Sequence, residues 1–201
     1  MPNDSASKGY LAPEGATPTL SPDDAFDAIL QALVVGVVGL ASNLVRPRWQ
    51  SMPPPEPEVG IDWCAIGVTD EDPESMPFVT HDGTADSGAG ADYVQVNDTA
   101  TMLASFYGPS ARGNAARLRV GLMVAQNREA LQLLNMGLVG MPSPSRFIPA
   151  IVSMQTQRRV DINFAIRRAN VFQVPVRNLA SVKFVLTTQD SKTWLATMTL
   201  P

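Results

Sequence analysis

Between Asp92 and Phe106 apolar and polar residues alternate along the chain. Val94, Val96, Ala100, Met102, Ala104 and Phe106 fall on one parity, and Tyr93, Gln95, Asn97, Thr99, Thr101 and Ser105 on the other. A period of two predicts a strand whose one face is buried and whose other face is wet. Gly108 and Pro109 end that pattern. Proline suits the first turn of a helix, where its missing N–H would be unpaired anyway. The period then changes: Ala111, Ala115, Leu118 and Leu122 recur at helical spacing with Met123 beside them, while Arg112, Arg117 and Arg119 occupy other sides. The strand and a helix over 109–123 therefore share an apolar side, and a core can form between them.

The same reading extends in both directions. Ser21, Pro22, Asp23 and Asp24 form a helix start, with a cap, a first-turn proline and acids at the positive end of the dipole. Phe26, Ile29, Leu30, Leu33 and Val37 continue it as an apolar stripe, predicting a helix over 22–36 that fades near Gly36 to Gly39. Pro47 and the proline run at 53–57 exclude a central strand, so Val45 to Trp49 is an edge strand or an extended connection. Ile61 to Thr69 reads as a strand, DEDPES (70–75) as an acidic turn, PFVTH (77–81) as a second strand, and Asp82 to Ala91 as a glycine-rich loop. Asn127 is a candidate cap for a helix over 126–136, because Leu131, Leu134 and Leu138 keep helical spacing. GMPSPSRFIPA (140–150) reads as a proline-broken loop. In RRVDINFAIRR (158–168), Val160, Ile162, Phe164 and Ile166 alternate with Asp161, Asn163, Ala165 and Arg167. That strand is flanked by Arg158-Arg159 and Arg167-Arg168, about 30 Å apart at roughly 3.3 Å per residue. A C-terminal hairpin follows, Val182, Phe184 and Leu186 alternating on one arm and Trp194, Ala196, Met198 and Leu200 on the other, with a turn at Gln189-Asp190-Ser191.

These elements predict an α+β fold: a mixed, mostly antiparallel β-sheet packed with two to three helices. Residues 1–20, rich in Pro, Gly, Ser and Thr without a period, form a flexible N-terminal arm. Residues 21–201 form a single α+β domain, with 179–201 as its hairpin.

Composition adds three constraints. The lone cysteine, Cys64, lies in the apolar run IDWCAIGV and cannot form an intramolecular disulfide, so a reducing compartment is expected. The N-terminus lacks a basic-then-apolar order, and the apolar run at 28–41 is too short to span a bilayer, so a soluble cytoplasmic protein is expected, with no membrane partner. The net charge of −4 hides an asymmetry: residues 1–98 hold sixteen acids and three bases, residues 99–201 three acids and twelve bases. Either the two halves neutralise each other within one subunit, or the acidic face of one subunit meets the basic face of the next. The second arrangement is heterologous and closes into a ring or runs on as a filament. A nucleic-acid groove fits poorly with so acidic a half.

Candidate chemistry is sparse. His81 and Asp82 are adjacent in THDG, but no serine stands in a nucleophile-elbow context, and no second histidine or cysteine completes a metal shell. The glycine-rich loop lacks the Lys-Ser/Thr pair of a phosphate-binding loop and the ligand order of an EF-hand. The proline run suits a stiff connection, or else a ligand for a peptide-binding domain. No enzyme, cofactor or metal site is predicted.

Four blocks carry a resemblance: NLVRPRWQ (43–50), ASFYGPSA (104–111), GLMVAQNREALQLLNMGL (121–138) and RRVDINFAIRR (158–168). In order and spacing they resemble the neck or tail terminator proteins of tailed bacteriophages, across about residues 22–170. The resemblance implies a structural virion protein of the neck or tail end, assembled in the host bacterial cytoplasm as a hexameric ring. Such a ring caps the tail tube, ends its polymerisation and gives head-completion or neck proteins a docking surface. Implied partners are further copies of itself, the tail tube protein, a head-completion or neck protein, the tail sheath, and genomic DNA passing through the lumen without sequence readout. A head-completion or baseplate protein is the alternative position, and a phage hydrolase or nuclease using His81 and Asp82 the alternative class. The candidate interface residues are Arg112, Arg117, Arg119, Arg158, Arg159, Arg167 and Arg168 on the basic side and Asp70, Glu71 and Asp72 on the acidic side, with the loops at 70–91 and 140–150 contributing.

Overall fold

The computed structural model describes residues 4–6, 10–15, 23–74, 76–152, 155–179, 181–187 and 193–199. In chain order its elements are β1 (Glu14–Gly15), α1 (Asp23–Val38), β2 (Val45–Pro47), β3 (Trp63–Pro73), β4 (Phe78–Asp82), α2 (Ala85–Gly88), β5 (Ala91–Tyr107), α3 (Ala111–Gly121), α4 (Ala125–Gln132), β6 (Met136–Val139), β7 (Arg146–Val152), β8 (Gln155–Val174), β9 (Ser181–Thr187) and β10 (Thr193–Thr199). Strands run in the order β1-β8-β5-β3-β2, with β4 added beside β5, β6 and β7 beside β8, and β9-β10 as a separate pair. Pairing is antiparallel between β3 and β5, β6 and β8, β7 and β8, and β9 and β10, and parallel between β2 and β3. The fold is α+β with a mixed, mostly antiparallel sheet.

Contacts divide the chain into two compact units: Gly15–Pro77 with Gln95–Val171, and Met1–Glu14 with Phe78–Val94 and Phe172–Pro201. In the larger unit the alternation in β5 places Ala100, Met102, Ala104 and Phe106 in the core, and the alternation in β8 adds Val160, Ile162, Phe164 and Ile166. Ala111, Ala115, Leu118 and Leu122 close over them from the helix side. Helix α1 contributes Phe26, Leu30, Val34 and Val38, with Ile29, Leu33 and Val37 only partly buried. Its buried stripe is thus turned slightly from the predicted one, because α1 lies on the sheet while its flank remains open.

The corner between β5 and α3 is held by distant parts of the chain. Gly108 has φ +102° and so close a neighbour that a Cβ would stand 2.7 Å from the Ile61 carbonyl oxygen. Its N–H donates to the Arg158 carbonyl, and the Asp62 carboxylate accepts from the Ser110 N–H at 2.7 Å just before the helix.

Three expectations need correction. The acidic run at 70–73 is not a turn: β3 continues through a bulge after Val68 and pairs Asp70 to Pro73 with Asp98 to Thr101. A partner strand supplies the ladder, which outweighs the low strand propensity of acids and proline. The helix expected to 136 stops at Gln132, and Met136–Val139 is a strand on β8. Asn135 takes φ +56°, which ends the helical path before Leu138 can continue it. The loop at 140–150 gives way to β7, where Pro149 sits opposite Arg158 on an edge strand that tolerates a missing N–H. The predicted cap at Ser21-Pro22, the turn at Gln189-Asp190-Ser191 and Leu200 lie outside the described residues, as does most of the N-terminal arm.

Candidate functional site

The arginines singled out in the sequence separate into two kinds. Arg168 follows the last apolar residue of the buried parity row of β8 and is only 7% exposed. Its guanidinium grips Asp98 through Nε at 2.7 Å and Nη2 at 3.0 Å, and reaches Glu71 at 2.9 Å. Asn170 donates to the same Asp98 at 2.6 Å, and the ring of Phe26 covers the Arg168 guanidinium at 4.7 Å. Burial works against this charge, but Asp98 and Glu71 outweigh it and raise its pKa above the ordinary guanidinium value. Arg167 points the other way and pairs with Glu74. In the larger unit, acids of the first half and arginines of the second therefore neutralise one another within one subunit.

A second polar cluster lies on the sheet face away from the helices. Arg159 makes a two-pronged pair with Asp161 at 2.7 and 2.8 Å, and Ser105 accepts from Arg48 at 2.6 Å and from Arg159 at 3.4 Å. Tyr107 stacks on Trp63 at 4.1 Å between ring centres, with Arg159 over one ring and Arg46 over the other. Arg46 also donates to the Pro55 carbonyl, and Trp49 to the Val68 carbonyl. The asparagine expected to cap α4 lies inside it instead, where its amide ties the end of α3 through Gly121 O at 2.8 Å. All four sequence blocks that carry the resemblance thus hold the subunit together. Sequence reasoning missed Arg48, Ser105 and Tyr107: Ser105 reads only as a wet-face residue, Arg48 falls in an edge strand or extended connection, and Tyr107 is not singled out.

Arg112, Arg117 and Arg119 are different. At about 100° per residue, they flank a strip of Gly113, Ala116 and Val120 on the side of α3 opposite its buried face. Among the described residues no ion pair or hydrogen bond reaches any of the three. Arg158 is exposed, and among the described residues its side chain donates only to the Pro109 carbonyl, at 2.9 Å. On the acidic side Glu71 is taken by Arg168, whereas Asp70 and Asp72 are exposed and reached by no ion pair among the described residues. The unpaired remainder of the candidate set is therefore Arg112, Arg117, Arg119, Asp70 and Asp72.

The smaller unit holds the histidine. His81 Nδ1 faces Asp92 Oδ1 at 2.6 Å and Nε2 faces Asn178 Oδ1 at 2.8 Å. The Asn178 amide nitrogen is committed to the carbonyls of Gly83 and Gly88, which fixes which end of the amide meets the ring. Both ring nitrogens therefore face acceptors, the arrangement of a doubly protonated imidazole. Its pKa is raised, first by the hydrogen bond to Asp92 and then by the one to Asn178. Asp82 turns away from His81 to the Thr84 N–H and hydroxyl, so the adjacent pair does not act as one unit. Cys64 is fully buried, which pushes its thiol far above the ordinary range and makes it a poor nucleophile. Among the described residues no three His, Cys, Asp or Glu side chains are grouped to hold a metal ion, and no helix is long and apolar enough to cross a membrane.

Two comparisons complete the picture. Residues 24–190 match the model of the family described as phage neck terminator protein, a span that contains all four blocks. No curated protein matches the chain.

Proposed function

Because the chain belongs to the phage neck terminator protein family, whose members are structural proteins of the virion neck, we propose that its subunits close into a hexameric ring on the last ring of the tail tube. The ring covers the growing end, which stops polymerisation, and offers its other face to a head-completion or neck protein. Genomic DNA passes through the lumen without sequence readout. The mechanism is steric and interfacial, and no residue is assigned a catalytic role.

The observation that carries this reading is the family match across 24–190. The leftover charges support it: α3 presents arginines with no ion-pair partner among the described residues, and β3 presents Asp70 and Asp72 likewise. Such surfaces suit a head-to-tail contact between copies, because each patch is complementary to the other and not to itself. Arg158 is the better probe of the β8 end of that contact. Reversing Arg159 as well would break its pair with Asp161.

An amber mutation in the reading frame, grown without suppression, tests the function. Expected products are tails with tubes of uneven length and filled heads left unjoined. Tails of normal length joined to heads would overturn the reading. An antibody label at the baseplate would move the protein to the other end of the tail.

A further inference from the structure

The connection from β2 to β3 and the strand β7 stand at opposite edges of the sheet, since β2 ends the strand order on one side and β7 pairs only with β8 on the other. Both belong to the larger unit. Strands β2 and β3 are parallel, and a parallel crossover is usually a helix. Here it includes the run Pro53 to Glu58, with prolines at 53, 54, 55 and 57 and neither helix nor strand. Such a run stays extended without internal hydrogen bonds. Arg46 props it through the Pro54 and Pro55 carbonyls at 3.4 and 2.7 Å. Pro53 to Glu56 are exposed, and the Pro53, Glu56 and Pro57 carbonyls accept no hydrogen bond among the described residues. Glu56 and Glu58 have no ion pair there either, and no lysine or arginine occurs from Trp49 to Ala111.

The β7 edge offers the complement. A shallow groove of about 460 Å³ follows it, with Phe147, Ile148, Pro149, Gln157 and Arg158 in its lining. Phe147 is 61% exposed and Ile151 80%. Arg158 and Arg146, the residue before Phe147, are exposed and form no ion pair among the described residues. No acid occurs between Glu129 and Asp161, and Asp161 is held by Arg159. Gln157 is 3% exposed, and its amide nitrogen has no acceptor among the described residues, although Val59 and Gly60 share a smaller recess with it. An apolar groove with an aromatic ring and a spare donor suits a polyproline ridge and its free carbonyls. Two unpaired cations beside it match two unpaired acids.

We infer that the proline run of one copy lies along the β7 groove of the next, with Glu56 and Glu58 meeting the neighbour's Arg146 and Arg158. The inference rests on the ring reading above and adds a contact to it. Run and groove are different patches at opposite edges of one sheet, so the contact is head-to-tail and leaves each copy with one free run and one free groove until a ring closes. A segment that is already extended loses little freedom on docking.

Cys64 is buried, so introduced cysteines are the reactive ones and the full-length chain can be tested directly. Pro53→Cys and Phe147→Cys are combined in one chain, oxidised mildly and run without reductant beside each single variant. The expected result is a covalent ladder from dimer up to the ring in the double variant and monomer in both singles. Glu56→Arg with Glu58→Arg should raise the concentration for half-assembly, read by light scattering, about tenfold, with the circular-dichroism melt unchanged. Adding Arg146→Glu and Arg158→Glu to that chain should restore assembly. Rings that form with neither the ladder nor the shift refute the contact and leave the ring reading standing. A wild-type chain that stays monomeric at every concentration, with no ladder in the double variant, refutes both. Covalent dimers as the largest species, with no larger assembly in solution, support the contact and refute the ring. A charge-reversed chain that assembles normally while heads fail to join assigns the proline run to another virion protein, which refutes the inference.

Discussion

Arg168 on β8 and Arg112 on α3 carry the same charge and lie in the same basic half of the chain, yet their surroundings have little in common. Arg168 closes the end of a buried row, gripped by Asp98 and Glu71 beneath the ring of Phe26. Arg112 stands on the outer side of a helix with no partner among the described residues. A charged residue that ends an apolar parity row is drawn inward, because its stem continues the row while its head needs an acid. A charged residue between helical core positions is turned outward. Position in the periodic pattern, more than formal charge, separates structural arginines from those free to meet another chain.

The comparison can be broken most severely at Arg168. Arg168→Met leaves part-buried Asp98 with only Asn170 to satisfy it, and removing the buried member of such a pair costs up to about 3 kcal/mol. Urea unfolding should show that loss. A change below about 0.5 kcal/mol would mean that Arg168 belongs with the free set. Gly121→Val is next. A Cβ at Gly121 would stand 2.1 Å from Val37 Cγ1, so α3 must move off α1, at about 1–3 kcal/mol. It displaces the arginine-bearing helix without touching its charges. A thermal melt equal to wild type would show that the approach of α1 and α3 is not constrained there.

The smallest intramolecular effect concerns the pH response of His81. Its folded pKa is raised by Asp92 and Asn178. The stabilisation it lends the loop at 83–90 is therefore fully present below the ordinary histidine value near 6.5 and is lost as pH rises through the higher folded value. Asp82 and Asp86 are the other carboxylates of that loop, and Arg177 faces Asp86 at 3.8 Å. Amide protection factors in residues 83–90, which correct exchange for its intrinsic base catalysis, should fall across that window in the wild type and be flat in His81→Ala. An NMR titration that finds the His81 pKa at or below the free value would contradict the geometry.

The sequence exposes the central unit well, for a physical reason. Ala100 to Phe106, Ala111 to Leu122 and Val160 to Ile166 keep one period without interruption, and an unbroken period leaves one choice of buried face. Where the chain departs from local preference the reading fails. Asp70 to Pro73 form strand only because β5 offers a ladder, β7 survives Pro149 only because its outer edge is free, and Leu138 keeps helical spacing past a left-handed Asn135 that the periodicity does not register. The candidate surface was legible only as a list of charges. Which acid meets which arginine depends on residues as far apart as Asp98 and Arg168, and pairing at such distance leaves no local trace in sequence.

The central claim of the proposal is that the α3 arginines serve contacts between copies while Arg159, Arg167 and Arg168 of β8, each paired with an acid, serve the fold. Arg112→Glu, Arg117→Glu and Arg119→Glu combined in one chain test it most directly, with light scattering for assembly and urea unfolding on the same sample. The account predicts stability within about 0.5 kcal/mol of wild type, as for exposed sites without partners, together with loss of the assembled ring. A triple variant that assembles as wild type does, or that loses assembly only because it unfolds, would contradict it.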